Sequence, residues 1–129
     1  MPNLAAADTM RPMGATLLIV DDHDGFRASA RALLEAEGFD VVGEASGGLA
    51  GISAAEVLRP DVVLLDIMLP DLDGFAVCER MTTEEGAPEV VLTSSRDVST
   101  YRQLLKRSRA RGFIPKSELS GSALAAMLG

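Results

Sequence analysis

The stretch Pro60-Asp61-Val62-Val63-Leu64-Leu65-Asp66-Ile67-Met68-Leu69-Pro70-Asp71-Leu72-Asp73-Gly74 constrains this chain more than any other. Proline has no backbone donor and clashes with a preceding helical turn, so Pro60 ends any helix before it. Val62 to Leu65 then form a short apolar run without alternation. With a breaker in front, that run predicts a strand buried on both faces, in the middle of a parallel sheet covered by helices. Asp66 falls at the carboxyl end of that strand, where open α/β sheets carry their sites. A turn residue that merely ends the strand is the plainer reading of Asp66. The polar groups that gather at the same sheet edge count against it.

The pattern recurs along the chain. Thr16 to Val20 is a second unalternated strand, followed by Asp21 and Asp22. Phe26, Ala30, Leu33 and Leu34 recur at helical spacing, and Gly38 is placed to stop that helix. Phe39 to Gly43 is expected as a strand, and Gly47 to Arg59 as a helix whose periodicity Ala and Gly dilute. A short helix from Phe75 to Met81 follows the Pro70–Gly74 loop. Glu89 to Leu92 reads as a strand ending at Thr93-Ser94-Ser95. The helix expected over Val98 to Ala110 presents Val98, Tyr101, Leu104 and Leu105 on one side. Gly112 to Ile114 is a fifth strand with Pro115 at its end, tolerable at a sheet edge or strand terminus, and Lys116 follows. Ser120 can cap a last helix reaching Leu128, with Leu119 and Leu124 as its hydrophobic staple.

This order, βαβαβαβαβα, predicts an α/β fold: a flavodoxin-like (βα)5, doubly wound, five-stranded parallel sheet of order 2-1-3-4-5. Residues 1–14 have no periodicity and carry Pro2, Pro12 and Gly14, so they are expected to be a disordered N-terminal lead-in. Residues 15–129 are then one domain; Met10 and Met13 are alternative starts.

Composition narrows the function. A net charge of −7 disfavours binding to a nucleic-acid backbone by this domain. The single cysteine, Cys78, excludes an intrachain disulfide, fits a reducing cytoplasm and reads as a small core hydrophobe. No apolar run approaches the roughly 20 residues of a membrane helix, and the N-terminus lacks a secretory pattern. The expected location is cytoplasmic, away from membranes.

In the predicted sheet the first and third strands are neighbours, which brings Asp21, Asp22 and Asp66 together. Close carboxylates cannot all stay ionised without a cation. Magnesium suits such a set, taking one or two carboxylates, a backbone carbonyl and waters. Thr93 and Lys116, at neighbouring strand ends, offer a hydroxyl and a point charge to phosphate oxygens. A divalent cation and a lysine flanking one carboxylate mark Asp66 as a nucleophile toward a phosphoryl group, giving an acyl phosphate. Singly, Asp21 and Asp22 could be helix N-cap residues, Thr93 a residue of high β-propensity and Lys116 a loop charge. Their joint arrival at strand ends favours the site.

With these motifs in view, the sequence resembles a response-regulator receiver domain, the phospho-acceptor module of two-component phosphorelay signalling. The resemblance rests on Val20-Asp21-Asp22, on Pro60-Asp61-x-x-x-x-Asp66-x-x-x-Pro70-x-x-Asp73-Gly74, on Val91-Leu92-Thr93-Ser94 and on Gly112-Phe113-Ile114-Pro115-Lys116, and it spans Thr16 to Leu128. It implies that Asp66 is the phosphorylated aspartate, accepting from a histidine kinase or phosphotransfer protein. It implies that Asp22, Asp66 and the Met68 carbonyl hold Mg2+ directly and Asp21 through water. Thr93 corresponds to the switch hydroxyl, Phe113 to the aromatic that follows it and Lys116 to the phosphate-pairing lysine. Backbone amides of Ile67 and Ser94 complete the implied phosphate cradle. Met68 and Ser95 lie where the family varies its dephosphorylation rate. The family often has proline directly after the lysine; here Ser117 follows and Pro115 precedes. Some receivers of DNA-binding regulators also lack that proline, and the Asp21-Asp22-His23 start resembles theirs. His23 is given no ligand role.

Six of the twelve basic residues lie between Arg96 and Arg111: Arg96, Arg102, Lys106, Arg107, Arg109 and Arg111. A solvated helix face explains this simply. The resemblance adds that receivers signal through the surface of the fourth helix, fifth strand and fifth helix, where the patch would meet an effector or a second copy. The chain is thereby expected to be a signalling domain and not an enzyme acting on other substrates. A haloacid-dehalogenase-like phosphatase would need an aspartate where Met68 stands, and a flavin binder would need aromatic residues to sandwich the ring.

Overall fold

The computed structural model describes residues 14–128. The lead-in expected over residues 1–14 lies outside the described residues except for Gly14, whose amide donates to the Gly38 carbonyl at 2.7 Å. Five parallel strands form one sheet in the order β2-β1-β3-β4-β5. They are β1 (Thr16–Val20), β2 (Asp40–Ala45), β3 (Val62–Asp66), β4 (Glu89–Ser94) and β5 (Gly112–Pro115). Helices α1 (Asp24–Ala36), α2 (Gly48–Leu58), α3 (Gly74–Met81), α4 (Arg102–Arg107) and α5 (Gly121–Leu128) connect or follow them. The alternation and strand order are those the sequence predicts.

Because successive strand residues point to opposite faces, each strand divides its side chains between two cores. Leu17 and Ile19, Val62 and Leu64, Val91 and Ile114 pack with Leu34 of α1 and with Leu124 and Leu128 of α5. Leu18 and Val20, Val63 and Leu65, Val90 and Leu92 pack with Val77 and Cys78 of α3. Every residue of β3 is buried, as the unalternated run requires. Each fully buried Leu or Val contributes about 1.5–3 kcal/mol. Burial pushes the Cys78 thiol up to about 11, so it packs as a hydrophobe.

Two elements differ from expectation by more than one residue at an end. β2 runs on through Glu44 to Ala45, past the Gly43 expected to end it. Glu44 is held by Arg27 at 3.0 Å and Arg31 at 2.6 Å from α1, so a tertiary ion pair extends the strand. The helix expected over Val98–Ala110 is a 3-10 turn, Val98–Tyr101, leading into a six-residue α4. Of its expected apolar stripe only Tyr101 is buried, while Val98 and Leu104 are exposed. Arg102 and Lys106 stand one turn apart as like charges, and the Ser108 hydroxyl takes the Leu105 carbonyl, which ends the helix early. At the last helix, Ser120 Oγ accepts from the Ala123 amide at 3.0 Å, as expected of a cap.

Candidate functional site

The carboxyl edge of the sheet collects the polar groups. Asp66 ends β3 and pairs in register with Thr93 of β4, which pairs in turn with Ile114 of β5. β1 lies on the other side of β3, and Asp21 and Asp22 follow its last residue. Four buried apolar residues lead β1 and β3 to this edge and three lead β4 to it, so the chain reaches it with polar side chains held by rigid backbone.

Asp21 and Asp66 are buried. Lys116 crosses from the end of β5 and places Nζ 2.7 Å from Asp21 Oδ2 and 3.3 Å from Asp66 Oδ2. The same ammonium lies 4.5 Å above the Phe26 ring centroid, a cation–π position. Asp21 Oδ1 accepts from the His23 amide at 2.8 Å, and Arg27 donates to the Asp21 carbonyl at 2.6 Å. The Met68 amide donates to Asp66 Oδ1 at 3.0 Å.

Burial raises the Asp66 carboxyl above its ordinary range; the Met68 amide and Lys116 oppose the rise and Asp21 adds to it. Burial lowers Lys116, but its hydrogen bond to Asp21 and the charges of Asp66 and Asp21 outweigh that, and its net shift is upward.

The raised Asp66 value makes a stability prediction. Between the unfolded carboxyl value of about 3.9 and the higher folded value, the native state binds more protons, so stability falls as pH rises. Asp66→Asn removes that cost. Its unfolding free energy is expected to exceed wild type by about 0.5–2 kcal/mol at neutral pH, with the gain vanishing as pH falls through the folded value. Urea unfolding along a pH series measures it; an Asn variant weaker than wild type at neutral pH contradicts it.

One ligand atom from each of Asp21, Asp22, His23 and Asp66 lies within 4.8 Å of the others. Three carboxylates against one lysine leave negative charge uncompensated, and oxygen donors of this kind fit a hard divalent cation. His23 is a residue that sequence reasoning left without a role. Its Nδ1 stands 3.1 Å from Asp21 Oδ1 and 3.3 Å from Asp22 Oδ1, and its place directly after the acidic pair was the available signal.

Thr93 is fully buried, and its hydroxyl turns away from Asp66 to donate to the Ile114 carbonyl at 2.6 Å. Phe113 is half-buried beside Tyr101, with ring centroids 6.5 Å apart. Tyr101 meets Phe75 at 5.9 Å on its other side, and its buried hydroxyl has no hydrogen-bond partner.

The response regulator receiver domain family matches residues 17–128. The chain belongs to that family. Among relatives, it is 36% identical over 102 residues to BvgA of Bordetella pertussis, a positive transcription regulator of virulence factors, covering 79% of this chain and 49% of that protein. It is 40% identical over 92 residues to the DNA-binding response regulator MtrA of Mycobacterium tuberculosis, covering 70% of this chain and 38% of that protein. The chain thus spans about half the length, or less, of these relatives. Among solved structures, the signal receiver domain of NarL from Mycobacterium tuberculosis superposes with a TM-score of 0.77 at 32% identity, covering 92% of this chain and 99% of that one.

Receiver domains are the phospho-acceptors of two-component systems, and they interact with histidine kinases or phosphotransfer proteins. In this receiver the Ile67 amide is already committed, donating to the Thr93 carbonyl at 3.0 Å. The amide expected in the phosphate cradle is therefore part of the β3–β4 ladder, and it is the Met68 amide that faces the Asp66 carboxylate. Ser94 is buried, and its hydroxyl accepts from the Arg96 amide at 3.0 Å. The basic patch divides. All six cations are exposed, but Arg109 also donates to the Thr82 carbonyl and Arg111 to the Met127 carbonyl.

Proposed function

We propose that Asp66 receives a phosphoryl group from a sensor histidine kinase or a phosphotransfer protein, and that the receiver then changes its α4-β5-α5 surface. The observation that carries this reading is a buried carboxylate at the central strand end with Lys116 Nζ at 3.3 Å and Thr93 in register beside it. Asp66 attacks phosphorus in line. One P–O bond forms as the donor's P–N bond breaks, and the donor histidine leaves as neutral imidazole with a proton taken from solvent water. Asp22, Asp66 and the Met68 carbonyl would hold Mg2+, with Asp21 reaching it through water. When bound, Mg2+ supplies charge neutralisation as the phosphate oxygens approach. Lys116 pairs with a phosphate oxygen, and the Met68 and Ser94 amides donate to the others. The domain catalyses only its own phosphorylation and dephosphorylation.

Thr93 leaves the Ile114 carbonyl for the new phosphate, and Phe113 follows into the space released, biasing a pre-existing two-state equilibrium. Support for an output at α4 comes from its exposed cations Arg102, Lys106 and Arg107; a groove of about 330 Å3 lies between α3 and α4, lined by Phe75, Glu79, Leu104 and Arg107, outside the α4-β5-α5 face. An effector, an attached output domain or a second copy of the receiver meets that surface. Names of relatives as transcription regulators agree with an attached DNA-binding output, while this domain binds neither nucleic acid nor membrane by itself. Among the described residues no helix is long and apolar enough to cross a membrane, and a cytoplasmic location fits the reading.

Phospho-affinity electrophoresis after incubation with acetyl phosphate tests it. The expected result is a shifted band that requires Mg2+ and is lost in Asp66→Ala. A band that persists in the Ala variant would refute Asp66 as the acceptor.

A further inference from the structure

The loop from Ile67 to Asp73 carries two groups that the proposed chemistry needs, the Met68 amide and the Met68 carbonyl. Its ends are fixed by backbone. The Ile67 amide donates to Thr93 at 3.0 Å, and the Gly74 amide closes the loop onto the Ile67 carbonyl at 2.7 Å. Asp73 caps α3 through the Ala76 amide at 2.9 Å. Leu69 and Leu72 pack against the core, and one side chain ties the middle of the loop to another element by hydrogen bonds. The Asp71 carboxylate accepts from the Gly48 amide at 2.7 Å and from the Leu49 amide at 2.9 Å, both in the first turn of α2. It also accepts from the Leu72 amide at 3.0 Å, bracing its own loop.

The fit depends on both partners. Gly47, at the N-cap of α2, has no side chain to cap the helix, so two of its first-turn amides would lack a partner without Asp71. A Cβ on Gly47 would stand 3.3 Å from Asp71 Oδ1, and one on Gly48 would meet Val77 Cγ2 at 2.8 Å and Leu72 Cβ at 3.1 Å before Asp71 Oδ1 at 3.3 Å, so the glycine pair lets helix and loop come this close. These two hydrogen bonds, from Leu49 foremost and then Gly48, hold the Asp71 carboxyl below the usual carboxylate range. Helix and loop thereby hold each other across a separation of more than twenty residues in sequence.

We infer that Asp71 is a positioning residue for the phospho-acceptor site: by tying the loop to α2 it fixes the Met68 backbone beside Asp66 and so sets the affinity of the acidic cluster for its divalent cation. The inference rests on the reading of Asp66 as phospho-acceptor. Met68 is an exposed residue in mid-loop, so its side chain contributes little to hold its backbone in place. With the tie cut, a bound cation would itself have to order the loop, and that ordering cost subtracts from affinity.

Titration with Mg2+ alone, followed by calorimetry, tests this in wild type, Asp71→Asn and Asp71→Ala. Loss of supporting contacts around a metal site costs about tenfold or more in affinity, so the Mg2+ Kd is expected to rise about tenfold in the Ala variant. The rise is smaller for Asn, which keeps an acceptor oxygen for one amide. Coupling is reciprocal, so Mg2+ should slow hydrogen exchange at the Gly48 and Leu49 amides of wild type, and that readout needs no variant. A residue that only caps α2 would lower the thermal midpoint and leave the Mg2+ Kd and that exchange response unchanged; this pattern overturns the inference while the phospho-acceptor reading stands. A wild type that takes no Mg2+ overturns both.

Discussion

Lys116→Met lowers the unfolding free energy by about 3–5 kcal/mol at neutral pH. The ammonium is the one cation within ion-pair distance of both Asp21 and Asp66 among the described residues, and both carboxylates are buried. Methionine keeps the stem as far as Cε and removes the ammonium, with both its ion pairs and its cation–π contact to Phe26. What remains is a pair of desolvated carboxylates with the amides of His23 and Met68 as their compensation. Two further signs follow. Acidification protonates the orphaned carboxylates and narrows the gap to wild type. Mg2+ narrows it as well and binds the variant more tightly, because the positive charge competing for the same oxygens is gone. Urea unfolding with chelator, with Mg2+ and at lowered pH measures all three. A deficit that ignores both pH and Mg2+ would mean that packing of the lysine stem, not its charge, is what the site needs.

Gly74→Ala is expected to cost about 3 kcal/mol or to abolish folding. An added Cβ would lie 2.5 Å from the Asp66 carbonyl oxygen and 2.6 Å from the Ile67 Cα. These are backbone atoms of the central strand's end, so no side chain can rotate away. Relief must come from moving α3 or from bending the segment that presents Asp66, and the Gly74 amide bond to Ile67 at 2.7 Å resists both. Thermal unfolding reads the loss of stability. In a variant that still folds, acetyl phosphate labelling reads the displacement of Asp66. A stable, fully labelled Gly74→Ala protein would show that the close approach is not needed.

The parts of this molecule that could be read from the chain are those whose causes are local. β3 is declared by Pro60 and four apolar residues, and alternation with helices makes the sheet parallel, while its order 2-1-3-4-5 is that of the flavodoxin-like pattern. Asp21, Asp66, Thr93 and Lys116 converge because each sits at a strand end, which is a positional property of the sequence. Features with distant causes were not legible. β2 continues to Ala45 because arginines of α1 reach Glu44. The start of α2 is capped by a carboxylate 22 and 23 positions away, so its own first turn carries no signal. The engagement of the Ile67 amide with Thr93 depends on how far the β3–β4 ladder extends, which no residue type announces. α4 shortened because the chain supplies like charges at helical spacing there, a local cue that the apolar stripe masked.

The hydrogen bond from Thr93 to the Ile114 carbonyl bears on how quiet such a switch can be before any stimulus arrives. A single neutral hydrogen bond is worth about 0.5–1.5 kcal/mol net, a bias of roughly two- to tenfold. Driving a two-state device from almost wholly off to almost wholly on takes about 5.5 kcal/mol. Holding the off state at 99:1 takes about half of that, about 2.7 kcal/mol, so in the proposed switch this one bond would supply roughly a fifth to a half of the resting bias and the packing of Phe113 against Tyr101 would add to it. On the proposed reading, a receiver built this way would idle above zero. Its background output would be a tunable quantity, which small changes at the Tyr101 contact would reset without touching the chemistry of Asp66.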